Sequence, residues 1–148
     1  MASIDTIDGE DTINVTDVVG AVRAVNLIDD VIVVQALLAF IYSFPAFKQS
    51  VIPIPVPTGT LDKNTARLIL DYQQRSNRLN ARNGSPFRLL EDGRVSHARG
   101  KTEWGRNMLW TIIQMNFHAS LFAAASRAPS LIPELVKRFP QLKDILKR

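Results

Sequence analysis

The clearest periodicity in the chain follows Gly59 and the short acid Asp62, where Ala66, Ile69, Leu70 and Gln73 recur at three- and four-residue steps. That spacing marks one face of a helix. Asp62 suits its N-cap, because a carboxylate there can accept from a backbone amide one turn later. The pattern predicts a helix from about Asp62 to Ser76. An earlier helix is predicted from about Asp29 to Tyr42, with Val31, Val34, Leu38 and Ile41 as its stripe and Ser43-Phe44-Pro45 as its stop. Between the two, proline alternates with aliphatic residues from Ile52 to Pro57, a segment that must be extended and cannot be a central strand. A third helix is predicted from near Thr102 to at least Asn116, with Trp104, Met108, Ile112 and Met115 on one face. After Ala128-Pro129, Leu131, Ile132, Leu135, Val136 and Phe139 form a short fourth helix, and Leu142, Ile145 and Leu146 an amphipathic tail.

The remaining stretches are less periodic. Residues 1–17 form an acidic arm of low structural content, in which the loose alternation of Ile4, Ile7, Ile13 and Val15 allows a short strand. Val18-Val19-Gly20 is expected to turn into the domain. From Asn77 to Lys101 the chain is rich in loop formers, and Phe87–Leu90 and Arg94–Ser96 flank Glu91-Asp92-Gly93 as a plausible tight hairpin.

Composition narrows the chemistry. A chain of 148 residues with 46% hydrophobic residues fits one compact domain with a real core. Cysteine is absent, which removes disulfides and thiolate metal sites. His97 and His118 lie too far apart for a metal-ligand spacing, and no nucleophile motif, phosphate-cradling glycine loop or paired carboxylate is evident. The expectation is therefore a protein without catalytic residues, metal or cofactor. The net charge of +4 is unevenly spread. Acids dominate the first 30 residues (Asp5, Asp8, Glu10, Asp11, Asp17, Asp29, Asp30), whereas Arg75, Arg78, Arg82, Arg88, Arg94, Arg99, Lys101 and Arg106 dominate the middle. A basic face can attract an anionic polymer or an acidic partner. Nucleic acid is disfavoured, because Phe87 is the only ring interleaved in the basic loop. Six positions apart on one helix, Trp104 and Trp110 would face different ways, one into the core and one outward as a stacking surface. Tyr72 poses the same alternative.

The order of these blocks resembles the peptidoglycan-binding domain, a small three-helix module attached to many bacterial cell-wall hydrolases. The resemblance covers about residues 18–116. Val19-Gly20 and Asn26 precede a helix with Asp30, Val31, Val34, Gln35, Leu37 and Leu38. Gly59, Leu61, Thr65, Ala66, Ile69, Tyr72 and Gln73 form the second block. Asp92, Gly93 and Val95 form the third, and Trp110, Thr111, Ile112 and Asn116 the last. The resemblance implies a mainly α fold, with three helices around one core, short extended connections and extra C-terminal helices in residues 117–148. Gln35, Gly59, Asp62, Thr65, Gln73, Asp92 and Gly93 are then scaffold residues of the motif.

The family's usual role implies non-catalytic attachment to cell-wall peptidoglycan, through glycan or stem peptide. The candidate ligand residues are Tyr72, Arg75, Arg88, Arg94 and Trp104. The alternative is a structural or adaptor subunit of a phage-like, contractile-injection or secretion assembly, using the same fold for protein–protein contact. The N-terminus has no basic and apolar leader, and no apolar window reaches the length of a membrane span. The chain is accordingly expected to be made in the cytoplasm without a signal peptide. Work outside the cell would require a non-classical export route or carriage in a phage or secretion particle.

Overall fold

A computed structural model describes residues 2–148. Its centre is the helix α1 (Ile28–Tyr42), which is apolar on every side. Beyond the expected stripe, which Leu37 and Tyr42 widen, Val33, Ala36 and Phe40 are also buried. A helix with no polar face must be surrounded. The helices α2 (Lys63–Arg82), α3 (Thr111–Ala125), α4 (Leu131–Arg138) and α5 (Leu142–Ile145) all pack against it.

Among the described residues, seven short strands complete the fold. β1 (Ser3–Ile7) and β2 (Glu10–Asn14) form an antiparallel hairpin, turned by Asp8 and Gly9 at positive φ. β3 (Val19–Gly20) pairs with β5 (Arg94–Val95). β4 (Arg88–Leu89) runs parallel to β7 (Met108–Leu109), which also pairs antiparallel with β6 (Glu103–Gly105). The fold is therefore an α+β mix of five helices and three small sheets, which corrects the expectation of a mainly α three-helix core. Most of these strands are two or three residues long, too short for alternation to register in the sequence.

Several boundaries move for identifiable reasons. The acidic arm is a hairpin whose Ile7, Ile13 and Val15 enter the same core as Leu142, Ile145 and Leu146 of the C-terminus. Ile4 N–H donates to the Lys147 carbonyl at 2.7 Å, so the two ends of the chain lie side by side. Val19-Gly20 is a strand rather than a turn. The expected hairpin about Glu91-Asp92-Gly93 does not form, because β4 and β5 join different sheets. α2 extends to Arg82, since Asn77 and Asn80, which resemble loop formers, turn their amides outward onto the Leu89 and Phe87 backbones. The third helix begins at Thr111 rather than Thr102. Before it, Asn107 at φ 58° turns the β6–β7 hairpin.

Side-chain amides lock the connections in place. Asn116 exchanges hydrogen bonds with the Ile13 backbone at 2.8 and 2.9 Å, and Asn14 does the same with Ala98 at 2.9 and 3.0 Å. Asn26 pairs with Gly20 in this way, and Asn77 with Leu89. In each case a carboxamide imitates one rung of a β ladder, satisfying a donor and an acceptor that would otherwise be lost on burial. Gln35 accepts from Thr58 N–H and Gly59 N–H and donates to the Thr60 carbonyl and Thr65 Oγ1. It thereby anchors the loop that Asp62 then caps through Thr65 N–H at 2.6 Å. Gly59 sits at φ +84°, and an added Cβ would meet Ile28 Cγ2 at 2.7 Å. Only glycine suits both demands.

Candidate functional site

The site with the richest exposed chemistry forms where β4, β5, β6 and β7 meet the start of α3. Its foundation is Gln73, fully buried on α2. The Gln73 Oε1 accepts from Gly93 N–H at 2.8 Å, while its Nε2 lies 2.9 Å from the Arg94 carbonyl, 3.0 Å from Thr111 Oγ1 and 3.2 Å from Asp92 Oδ1. One amide thus ties the Asp92-Gly93 turn, strand β5 and the first residue of α3 together. Asp92 Oδ1 also accepts from Arg94 N–H at 2.9 Å, closing the turn locally.

Above this base lies an open cleft of about 200 Å³. Arg94 and Asp92 form its polar side; Leu90, Leu109, Trp104 and Trp110 form its apolar side. The two indoles meet with centroids 6.2 Å apart and planes at 50°. They converge because they lie on either side of the β6–β7 turn, not on one helix. Trp104 is in β6 and stays 44% exposed, held by its Nε1–H to the Leu109 carbonyl at 3.2 Å. Trp110 is half-buried at the N-cap of α3. The parallel register of Leu89 with Leu109 carries Leu90 to the same end of the sheet as Trp110, where it is 49% exposed. The Arg94 Nε lies 3.4 Å from Asp92 Oδ2, a long contact. Trp110 also borders a second cleft of about 280 Å³ beside His97 and Arg99.

Of the five candidate residues, Arg94 and Trp104 come together here. Arg75 and Arg88 do not line the cleft. The Arg75 Nε pairs with Asp71 at 2.9 Å, and Asp71 in turn accepts from the Tyr42 hydroxyl at 2.8 Å. Arg88 folds its Nη1 back onto the Ser85 and Phe87 carbonyls. Tyr72 is fully buried, stacked on Phe47 with its hydroxyl 2.7 Å from Nδ1 of His118, so its ring offers no surface to a ligand. Burial raises the Tyr72 phenol well above its ordinary pKa and lowers the His118 imidazole to about 4.

Leu90 and Leu109 line the cleft although the sequence put neither forward as a ligand candidate. Each follows or ends a two-residue strand, and only the pairing of β4 with β7 brings them to the indoles. Among the described residues, no three His, Asp or Glu side chains converge in a way that could hold a metal ion. Among the same residues, no helix is long and apolar enough to cross a membrane.

No family model, curated protein or solved structure matches the chain.

Proposed function

We propose that this protein is a non-catalytic binding module for bacterial cell-wall peptidoglycan, and that it binds through the Trp104–Trp110–Arg94 cleft. The observation that carries the reading is the convergence of a half-exposed indole with an arginine in one open concavity. An indole face presents a flat apolar platform for the C–H face of a sugar ring. Arg94 offers its terminal guanidinium nitrogens to a carboxylate of the stem peptide, a geometry suited to paired hydrogen bonds. Leu90 at the lip accepts small apolar substituents. The order of sequence blocks that resembles the peptidoglycan-binding domain supports the same ligand class.

Retention on purified sacculi tests this. The parent protein should co-sediment with sacculi, and Trp104→Ala should not; equal retention of both, or of neither, would count against the cleft. A second reading, a structural or adaptor subunit of a phage-like, contractile-injection or secretion assembly, draws on the separation of acidic and basic surfaces.

A further inference from the structure

Two surfaces outside the cleft are complementary. The first is a groove of about 340 Å³ between the tip of the β1–β2 hairpin and the outer side of α3. Ile7 and Ile113 form part of its apolar lining, Phe117 stands at its edge 58% exposed, and Leu121, one turn further along α3, is 53% exposed. The acids Asp8, Glu10 and Asp11 line it, and no cation does. Asp11 is held by Arg148 at 2.6 Å and Asp8 accepts from Thr102 N–H at 3.3 Å, whereas the Glu10 carboxylate forms no ion pair among the described residues.

The second surface is the outward stripe of α2. Lys63, Arg67, Leu70, Arg78 and Arg82 are exposed at helical spacing along one side. None of these four cations forms an ion pair among the described residues, whereas Arg75 on the flank is paired with Asp71. The stripe is therefore a line of free positive charge around one apolar side chain. Exposed apolar side chains grouped inside a rim of one charge sign mark contact surfaces more often than bare solvent faces.

We infer that the acid-rimmed groove of one copy receives the basic α2 stripe of a second copy, with Leu70 set against Phe117 and Leu121. The two patches share no residue, so the contact is heterologous: each copy has one groove and one stripe to offer. Such a contact propagates from copy to copy, into a ring if the rotation closes and a filament if it does not. Opposite charge steers the encounter, and the apolar pair supplies the part of the contact that salt does not screen. The indole cleft takes no part in it.

Sedimentation velocity on the full chain, over a wide concentration range at low and high salt, reads this directly. Concentration-dependent association is expected at low salt, with the apparent Kd rising about tenfold or more at high salt. A groove variant (Glu10→Lys with Phe117→Ser) and a stripe variant (Arg67→Glu with Arg78→Glu) alter only exposed side chains, and each should sediment as a monomer. Mixed together they should form a 1:1 heterodimer that grows no further, because the first keeps its stripe and the second its groove. A parent that stays monomeric at every concentration overturns the inference. So does a variant that associates like the parent, or a mixture that remains monomeric.

Discussion

The Tyr72 hydroxyl lies 2.7 Å from Nδ1 of His118, and Phe47 stacks on the phenol while meeting the imidazole edge-on. Phe122 stacks nearly parallel to the imidazole, with ring centroids 6.1 Å apart, and also meets Phe47 edge-on. Both polar tips are thus withdrawn into a cluster of rings between α2 and α3. Burial disfavours the charged imidazole, holding its pKa near 4 against 6.5 in the unfolded chain. Between those values the unfolded chain binds the proton and the folded chain does not. Stability should rise with pH from about 4 to 6.5, by up to about 3 kcal/mol, and be fully present above that window. Urea unfolding at stepped pH measures it. The double variant His118→Phe, Tyr72→Phe should flatten this dependence without leaving a buried hydroxyl unpaired.

Tyr72→Phe alone removes one buried hydrogen bond and should cost about 1 kcal/mol. It should leave sacculus retention unchanged, because the ring has no exposed surface. Trp104→Ala should do the reverse: lost retention with a change in stability of about 1 kcal/mol or less, as for an exposed side chain. Paired unfolding and co-sedimentation measurements separate the two residues.

Gln73→Leu keeps the side-chain volume but strands Gly93 N–H, the Arg94 carbonyl and Thr111 Oγ1. A loss of about 2–4 kcal/mol is expected in chemical denaturation. Because the same amide sets the base of the cleft, this variant should also weaken sacculus binding under conditions where it remains folded.

Gly59→Ala should destabilise by about 1–3 kcal/mol, since alanine must adopt φ +84° and its Cβ meets Ile28 Cγ2. Pairing it with Ile28→Ala, which removes that methyl, should recover only the steric part of the loss. Thermal unfolding of the two single variants and the double gives the coupling.

The parts of the fold that the sequence made legible are those written in helical periodicity. The Asp62 cap, the α1 boundaries, and the buried faces of α4 and α5 follow from residue type and spacing. Gln35 and Gln73, expected as scaffold residues from the family resemblance, do bond buried backbone. The strands could not, because a two-residue pairing such as Val19-Gly20 with Arg94-Val95 leaves no local signature and depends on contacts across the whole domain. The same limit governed the site. Assigning Trp104 to a helix separated it from Trp110, whereas the turn at Asn107 brings the rings together. Tyr72 looked like a surface platform only while its partner His118, 46 residues away, had no place in the fold.

The two tryptophans of the chain both line the cleft, so tryptophan fluorescence reports on that site and, through Trp110, on the adjoining cleft beside His97. Titration with soluble peptidoglycan fragments should give a saturable change in the parent. In Trp104→Ala the change should be lost although Trp110 still emits, and Arg94→Ala should weaken it about tenfold or more for fragments that carry a stem-peptide carboxylate. A flat titration of the parent, together with no retention on sacculi, would contradict cell-wall binding through this cleft.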